Sequence, residues 1–394
     1  MEELTCVVIG GGYAGIHALN AIRKSFKGEE NKRTLRLILM DKNPYHTRKV
    51  LLFRPAVGEE EITIPLAGMI PEEAEFIQAS VLNIDSHSKK LLYQDAAGEE
   101  LWMHYDVLVV ALGSVVRAPD PEQGGLALTG LDQAKKIRET WQSNMKLAVK
   151  EQDQNERRRL MSIAIAGAGI SGIETSAELA HSVREGAAAL GLDPNEVRIT
   201  LFNANPRLFS EGPAKVGRRL EDSLQAKGVT VLHGRKVIQE RDGIVTLSDG
   251  DKLSVGLCVW TLGLLPHPAL HSMGLPVHSD GYVIVDECYR VQGAQGIYSI
   301  GDCARVVDPV SRHVDGKTCK EALGQASRIG KIIIADLSGD KAPSHRQYMD
   351  FFCFGLGPEH GMAWTHKWGV DLIFTGKLGS RLRKFTWDSA SLIK

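Results

Sequence analysis

The sequence predicts an α/β fold with two Rossmann-like dinucleotide-binding domains and a small C-terminal segment. The main observation is a glycine fingerprint, Gly-x-Gly-x-x-Gly, which begins at Gly10 and occurs again at Gly167. Each copy follows a short apolar run and opens a helix-like segment, in LTCVVIGGGYAGIHAL and then in SIAIAGAGISGIETSAEL. This strand–turn–helix context indicates a dinucleotide diphosphate site. Two such sites indicate two dinucleotides and the transfer of a hydride or electrons between them.

The first fingerprint consists of Gly10, Gly12 and Gly15. In this pattern the first glycine permits a tight turn, the second lets the backbone approach the phosphates, and the third lets helix and strand pack closely. The diphosphate then rests on free N–H groups at the helix N-terminus. The next apolar run, 35–40, indicates a second strand, and it ends at Asp41, where a carboxylate can accept hydrogen bonds from a ribose.

The second fingerprint consists of Gly167, Gly169 and Gly172. The strand that follows it ends at Asn203 instead of an acid. An asparagine can bond a ribose hydroxyl and does not repel a 2′-phosphate as a carboxylate would, so the choice between NADH and NADPH stays open. Arg207 is a candidate partner for such a phosphate, and the alternative is a solvated loop arginine.

Composition excludes several other classes of protein. The chain has 394 residues, 24% of them charged, and a net charge of −1, so no nucleic-acid partner is expected. It contains no apolar run of spanning length and enters a core strand directly after Met1, which predicts a cytoplasmic protein without a signal peptide. The six cysteines show no zinc spacing, so no metal site is predicted. None lies between Cys6 and Cys258, which disfavours disulfide and sulfide chemistry.

The order of motifs predicts the domain boundaries. An apolar run that passes into a small-residue turn closes each dinucleotide unit, at 105–114 and at 260–268. The chain is then expected to return to the first unit through the apolar segments 281–291 and 296–304. The prediction is a discontinuous first domain, a second domain and a C-terminal segment: 1–118 with 268–344, 119–267, and 345–394.

With both fingerprints and the motif IYSIGDCA at 297–304, the chain resembles the two-dinucleotide-binding flavoprotein superfamily. Within it the sequence is most similar to type II NADH dehydrogenases, the single-subunit NADH:quinone oxidoreductases. Three features carry this resemblance: Asn43-Pro44-Tyr45-His46 after Asp41, Glu174 two residues after the last fingerprint glycine, and the C-terminal run CFGLGPEHGM…DLIFTGKLGSRLRK. A role for His46 beside the cofactor and a packing role are both kept as interpretations.

The resemblance implies one FAD site and one NAD(P)H site. The family's FAD contacts carry over to Gly10, Gly12, Gly15, Asp41, Gly113 and Asp302 of this chain. Its NADH or NADPH contacts carry over to Gly167, Gly169, Gly172 and Asn203.

The resemblance also implies two catalytic residues, Glu174 and Gln325. Glu174 is expected in the first turn of its helix, facing the dinucleotide, with an electrostatic task near the nicotinamide or in quinone protonation. Glu178, four residues later, is expected to be solvated. Gln325 matches the first glutamine of the family's Ala-Gln-x-Ala-x-Gln segment, but Ile329 replaces the second, which puts the quinone contact in doubt.

The family docks on membranes through C-terminal amphipathic helices, and the tail of this chain has a suitable composition. Basic residues accompany apolar ones at roughly helical spacing: Lys377, Arg381, Arg383, Lys384 and Lys394 beside Leu378, Leu382, Phe385 and Leu392. This pattern suits a helix lying on anionic lipid. The alternatives are packing on the protein's own core or on a second subunit in a homodimer.

These observations lead to one functional hypothesis with two alternatives. The hypothesis is an FAD-dependent NAD(P)H dehydrogenase that passes hydride from the nicotinamide to FAD and electrons on to a quinone, at the inner face of the cytoplasmic membrane or in the cytoplasm. The first alternative is a soluble NAD(P)H-dependent flavin reductase that serves a ferredoxin-type or other acceptor. The second is a flavin-binding redox sensor with little turnover.

Overall fold

A computed structural model describes residues 2–27 and 33–393 of the chain. This part contains eight α-helices: α1 Tyr13–Phe26, α2 Phe53–Val57, α3 Leu131–Lys150, α4 Gln154–Leu160, α5 Ile170–Ala189, α6 Ala214–Gln225, α7 Cys319–Ser338 and α8 Gly376–Ala390. Short 3-10 helices occupy Lys49–Leu51, Leu66–Gly68, Pro121–Gln123, Pro194–Glu196, Pro268–His271 and Gly301–Cys303.

The first sheet has seven strands and contains the first fingerprint. In spatial order they are Ile297–Ser299, Val107–Val110, Glu2–Ile9, Arg33–Asp41, Ala74–Asp85, Lys90–Asp95 and Glu100–His104. The first five run parallel and the last two are antiparallel. Strand Val107–Val110 is buried at every position, as expected for a parallel strand covered on both faces. Helices α1 and α7 pack together in one of the hydrophobic cores of this unit.

The second sheet has five parallel strands and contains the second fingerprint. In spatial order they are Leu126–Ala127, Leu257–Trp260, Ser162–Ala166, Arg198–Asn203 and Val229–His233. The polar run 132–159 forms two helices, α3 and α4. One face of α3 is buried: Ala134, Ile137, Trp141, Met145 and Ala148.

A three-stranded antiparallel sheet projects from this second unit, with strands Val237–Arg241, Ile244–Leu247 and Lys252–Ser254. Its turn contains Gly250 at φ +88°, as the Asp-Gly pair indicates. The run 243–260, with Asp249-Gly250 as turn signal, predicts one hairpin-like stretch, and this is wrong for its last four residues. Strand Leu257–Trp260 is instead fully buried between two parallel neighbours of the five-stranded sheet. A short apolar run suits a central parallel strand as well as a hairpin arm, so the sequence did not distinguish them.

Three two-stranded pairs complete this part of the fold. The chain passes between the two large sheets twice, at Ser114–Val116 and at Leu264–Pro266. These two short strands pair with each other in antiparallel orientation. They lie next to the boundaries predicted after residues 118 and 267. The other pairs are Tyr45–Thr47 with Thr63–Pro65, and Val283–Ile284 with Ala304–Arg305.

The C-terminal segment forms a three-stranded antiparallel sheet followed by α8. Its strands are Phe351–Gly355, Gly361–Lys367 and Val370–Thr375. Phe209 of the second unit contacts three of its rings edge-on, at centroid distances of 5.0 Å to Phe352, 5.3 Å to Phe354 and 5.5 Å to Trp364. Aromatic pairs at such distances stabilise an interface beyond simple burial. The segment is therefore attached to the second unit by an aromatic cluster.

Helix α8 also contacts the first unit. Arg48 NH2 donates to Asp388 Oδ1 at 2.6 Å, and His17 Nε2 lies 3.0 Å from the Ala390 carbonyl oxygen. The inward face of α8 consists of Gly379, Arg383, Trp387 and Ala390. The helix therefore bridges the two dinucleotide units. Lys394 lies outside the described residues.

Helix α8 crosses a strand of the C-terminal sheet near its start, where Gly379 of the helix packs against Gly361 of the strand. A Cβ atom on Gly379 would lie 2.2 Å from the Gly361 carbonyl oxygen, which is closer than any real contact of this kind. The helix can therefore cross the strand at this point only if neither residue has a side chain.

We predict that Gly379→Ala destabilises the protein by about 1–3 kcal/mol, the usual cost of overpacking. Thermal unfolding measures the change. The matched control is Gly58→Ala, because Gly58 has φ −149° and its Cβ would meet no described atom within 4 Å. Equal melting temperatures for the two variants would show that the crossing does not limit stability.

Candidate active site

The predicted FAD contacts lie together at one edge of the first sheet. Each follows or ends one of four adjacent parallel strands: Gly10 after Glu2–Ile9, Asp41 at the end of Arg33–Asp41, Gly113 after Val107–Val110 and Asp302 after Ile297–Ser299. Open α/β sheets bind ligands outside the carboxyl ends of their strands. These residues therefore form one candidate site along this edge of the sheet, with Asp41 at one end and Asp302 at the other.

The first fingerprint forms a cradle that only glycines allow. Gly10 has φ +106°, and a Cβ on Gly15 would lie 1.8 Å from the Gly10 carbonyl oxygen. Gly12 is the N-cap of α1, and a Cβ there would meet no described atom within 4 Å. The first-turn N–H groups of α1 are therefore accessible to a diphosphate, and these residues fit a dinucleotide.

Asp41 is held in place by backbone donors. The N–H of Gly11 donates to Asp41 Oδ2 at 2.6 Å, and the N–H of Asn43 donates to Oδ1 at 2.8 Å. Each carboxylate oxygen has a further lone pair, which leaves Asp41 able to accept from a ribose.

His46 packs beneath the same loop. It is 1% exposed, its Nδ1 lies 3.0 Å from the Gly11 carbonyl oxygen, and its ring meets that of Tyr13 edge-on at 4.8 Å. Burial lowers the pKa of His46 to about 4, although the hydrogen bond to Gly11 acts in the opposite direction. The neutral ring therefore donates from Nδ1 to Gly11, while its buried Nε2 has no partner among the described residues, so the packing role and the role beside the cofactor both stay predictions.

Two residues that sequence reasoning missed lie beside Asp302. Ser114 Oγ donates to Asp302 Oδ2 at 2.7 Å, and Lys49 Nζ donates to the Ser114 carbonyl oxygen at 2.9 Å. Burial raises the pKa of Asp302, while Ser114, Lys317 and Lys49 act to lower it. Two lysines thus contribute positive charge where an anionic cofactor would lie. Lys49 has no sequence signal beyond its place after the Asn-Pro-Tyr-His run.

Gln325 is turned toward the Gly301 loop. Its Oε1 accepts from the Gly301 N–H at 2.6 Å, and its Nε2 donates to Asp315 Oδ2 at 2.6 Å. Asp315 Oδ1 lies 3.1 Å from Nε2 of buried His345, whose Nδ1 is 2.9 Å from the Tyr289 hydroxyl. Oε1 of Gln325 thus holds the loop that carries Asp302 while Nε2 holds Asp315, and the direct catalytic role of Gln325 stays a prediction.

The second fingerprint repeats the geometry of the first. Gly167 has φ +116°, and a Cβ on Gly172 would lie 1.9 Å from the Gly167 carbonyl oxygen. Gly169 is the N-cap of α5. Thr261 Oγ1 donates to the Gly167 carbonyl oxygen at 2.8 Å and joins the loop to the neighbouring strand. These residues fit a second dinucleotide.

Asn203 is buried beside the second fingerprint, and its side-chain amide already has hydrogen-bond partners in the protein. Its Nδ2 lies 2.9 Å from His233 Nδ1, and its Oδ1 accepts from the Asn205 N–H at 3.1 Å. The Nε2 atom of His233 is 3.1 Å from Glu221 Oε1. The proposal that Arg207 binds a phosphate is not supported, because its guanidinium donates to loop carbonyl oxygens at Phe209, Ser210 and Gly212.

Glu174 lies in the second turn of α5, not the first, and faces the C-terminal segment. Arg383 donates from Nε to Oε1 at 2.7 Å and from NH2 to Oε2 at 2.9 Å, and the Gly355 N–H donates to Oε1 at 2.7 Å. Burial lowers the pKa of Arg383, but the Glu174 carboxylate outweighs it, so the net shift is upward. Sequence reasoning placed Arg383 among the lipid-facing cations, and this is wrong, since the residue is buried.

Glu178 is also buried, so the prediction of a solvated side chain is wrong. It is 2% exposed, and its Oε1 lies 3.6 Å from Arg54 NH2. Burial raises the pKa of Glu178, and the charge of Arg54 opposes that shift. The guanidinium of Arg54 also lies over the ring of Trp387, 5.8 Å from its centroid.

Two thiols lie close enough to Arg383 for its charge to affect them. Burial raises the pKa of Cys353 to about 11 and also raises that of Cys319, while the guanidinium acts to lower both. Both thiols therefore stay protonated near neutral pH, which makes them poor nucleophiles.

We predict a pH-dependent stability that involves His46. The unfolded chain binds a proton at this residue near its ordinary pKa of 6.5, and the folded chain only near 4. Between these values the unfolded state binds more protons, so the free energy of unfolding falls as the pH is lowered, by up to about 1.4 kcal/mol per pH unit. His46→Gln should flatten the pH dependence measured by denaturant unfolding. The control His87→Gln, at an exposed residue, should keep the slope of the unchanged protein, and an unchanged slope in His46→Gln would contradict the prediction.

Comparison with known proteins gives relatives that match nearly the whole chain. A type II NADH:quinone oxidoreductase of Staphylococcus aureus (strain NCTC 8325 / PS 47) is 26% identical over 358 residues, which covers 87% of this chain and 85% of the relative. NDH2 of Plasmodium falciparum, solved in complex with NADH, superposes with a TM-score of 0.82 at 16% identity, covering 98% of this chain and 94% of the other.

A ferredoxin reductase of Rhodopseudomonas palustris also shares the fold, with a TM-score of 0.68 at 21% identity over 96% of this chain and 92% of the other. These structural likenesses confirm the predicted α/β fold class. The model of the pyridine nucleotide-disulphide oxidoreductase family matches residues 4–326, which confirms the predicted two-dinucleotide-binding flavoprotein superfamily. The chain therefore belongs to the pyridine nucleotide-disulphide oxidoreductase family.

Proposed function

We propose that the protein is an FAD-dependent NADH dehydrogenase that passes electrons to a quinone. The observation that carries this proposal is the pair of glycine cradles, each at the carboxyl ends of a parallel sheet and each open at a helix N-terminus. The relative from Staphylococcus aureus is named as a type II NADH:quinone oxidoreductase, and the match covers most of its length. It supports quinone as the electron acceptor. In such a protein FAD supplies the chemistry that accepts a hydride and releases electrons singly or in pairs.

The chain's own residues bind and orient the two dinucleotides. Gly10, Gly12 and Gly15 would hold the FAD diphosphate on α1, and Asp41 would bind its adenosine ribose. The second group of contacts lies at the opposite end of the site and consists of Gly113 and Asp302, with Lys49 and Ser114 beside them. In the second unit Gly167, Gly169 and Gly172 would hold the nicotinamide dinucleotide on α5.

The surroundings of Asn203 favour NADH over NADPH. The carboxylate of Glu221 lies 3.1 Å from His233, which itself contacts Asn203. A negative charge at this strand end disfavours a 2′-phosphate, and Arg207 is turned away into its own loop. The acidic group near the end of strand Arg198–Asn203 is thus Glu221 of α6, instead of a residue at the strand end itself.

The outer face of α8 is suited to a lipid surface. Leu378 and Phe385 are 53% and 68% exposed, and basic side chains flank them on the same helix. In the described part of the chain, every helix is too short or too polar to cross a bilayer. We therefore propose peripheral contact with an anionic membrane through α8.

We predict that the purified protein binds FAD and that NADH bleaches the flavin absorbance in an anaerobic titration. NADPH should do so with a lower apparent affinity, by about tenfold, because a single unfavourable charge contact costs on the order of 1 kcal/mol. A short-chain quinone should then restore the absorbance.

The contrary results of this titration are specific. Reoxidation by a ferredoxin-type acceptor but not by the quinone would favour the reductase alternative. Slow or absent bleaching of bound flavin would favour the sensor alternative. A colourless protein that takes up no FAD would overturn the whole proposal. Asn203→Asp serves as the matched variant, since an added carboxylate should lower the response to NADPH further.

We predict that the protein floats with vesicles containing phosphatidylglycerol and that Phe385→Ser weakens this binding by about tenfold, because a buried phenylalanine contributes about 1.5–3 kcal/mol. Trp102→Ser is the control, since Trp102 is 57% exposed on the edge strand Glu100–His104 of the first sheet. If Phe385→Ser instead converts a dimer to a monomer without changing flotation, this face is a subunit interface and lipid contact is excluded.

A further inference from the structure

We propose that Arg383 is the positioning residue for Glu174, and that it holds this carboxylate as a fixed anion between α5 and the C-terminal segment. The inference rests on the proposed function, because the task of Glu174 belongs to that function. It selects between the two tasks that the sequence left open for Glu174. A fixed anion acts by electrostatics near the nicotinamide and does not carry protons to the acceptor.

The geometry leaves Glu174 little freedom to change its charge or direction. Three N–H donors converge on the carboxylate, two from the guanidinium of Arg383 and one from the backbone of Gly355, at 2.7–2.9 Å. The exposed fraction of the side chain is 2% for Glu174 and 10% for Arg383. Such bidentate, charge-assisted contacts are the strong and directional kind. A Cβ on Gly355 would lie 3.2 Å from Glu174 Oε1, so the strand approaches the carboxylate closely.

The remaining charged groups around the pair cannot take over the task of Arg383. Glu178 has the same charge as Glu174, and Arg54 lies against Glu178 and the ring of Trp387. Lys320 donates to the Phe351 carbonyl oxygen and lies over the ring of Phe352. The titratable groups that face the pair are Glu178 on α5, Arg54 on α2, Cys319 and Lys320 on α7, and Cys353 on the strand Phe351–Gly355. Without Arg383, burial would favour the protonated form of Glu174.

The donor to Glu174 comes from outside both dinucleotide units. Arg383 lies on the inward face of α8, and the Arg48–Asp388 pair holds the same helix one turn later. The candidate site is therefore complete only when the C-terminal segment is docked. The outward face of α8, with Leu378 and Phe385, belongs to the same rigid helix. Anything that displaces α8 would also withdraw the guanidinium from Glu174.

Infrared spectroscopy tests the charge of Glu174 without measuring activity. In Arg383→Gln the buried carboxyl should become protonated near neutral pH and show the carbonyl stretch of a neutral acid. The double variant Glu174→Gln/Arg383→Gln should lack this band, which assigns it to Glu174. Lys384→Gln is the matched control, because Lys384 is the exposed neighbour on the same helix, and it should show no such band. Absence of the band in folded Arg383→Gln overturns the proposal.

A kinetic cycle tests the coupling of the two residues. Glu174→Gln and Arg383→Gln should each slow flavin reduction by NADH by about tenfold or more, and the double variant should be no slower than the worse single variant. Arg383→Lys keeps the positive charge but cannot make the two parallel hydrogen bonds of a guanidinium. It should therefore recover part of the rate of flavin reduction that Arg383→Gln loses. Additive losses in the double variant would overturn the proposal.

Two further measurements separate this inference from the proposed function and from misfolding. If the unchanged protein is not reduced by NADH, the proposed function fails, while the infrared band still decides whether Arg383 keeps Glu174 ionised. FAD content and melting temperature identify variants that do not fold. If Arg383→Gln does not fold, Arg383→Lys gives the test, because lysine keeps the charge but not the paired hydrogen bonds, so the carboxylate stretch assigned to Glu174 should shift from its position in the unchanged protein. The same carboxylate stretch in Arg383→Lys and in the unchanged protein overturns the proposal.

Discussion

The close crossing of strand and helix at each glycine fingerprint is the constraint on which the rest of the structure depends. In both units the third glycine lies so near the carbonyl oxygen of the first that a Cβ would come within 2 Å of it, at 1.8 Å and 1.9 Å. This proximity brings the N-terminus of the helix over the carboxyl ends of the strands. The sheet order then brings Asp41, Gly113 and Asp302 to the same edge. Duplication of this one contact produces two sites in one chain.

One buried and one half-buried charge pair attach the C-terminal segment to the two dinucleotide units. Arg383 reaches Glu174 in the second unit, and Asp388 of the same helix reaches Arg48 in the first. Removing one partner of a buried pair costs far more than the pair itself contributes, because the other charge is then left without compensation. The segment is thus held by contacts that are specific in geometry, and the aromatic cluster around Phe209 supplies the apolar part of the same attachment.

The sequence predicts best the positions that depend on local structure alone, and the roles of these residues stay predictions. The glycines, Asp41 and Asn203 follow from turn geometry and from the strand end, which need only neighbouring residues. Glu178 and Arg383 were misplaced because their burial depends on contacts made across the fold, with Arg383 and Glu174 separated by 209 positions. One signal was available: Gly379, Arg383 and Trp387 recur every four residues, the spacing of an inward helix face. The C-terminal strands had no comparable signal, since their register depends on the Gly361–Gly379 crossing.

The paired crossings Ser114–Val116 and Leu264–Pro266 make the only strand-to-strand connection that the described residues show between the two dinucleotide units. Helix α2 of the first unit also packs against α3 and α5 of the second, and Phe53 and Ala56 belong to the same hydrophobic core as Trp141. The two units are therefore joined by buried apolar contacts as well as by α8, and rotation of one unit against the other would have to open a close-packed core. Exchange of the nicotinamide dinucleotide should therefore occur without separation of the two units.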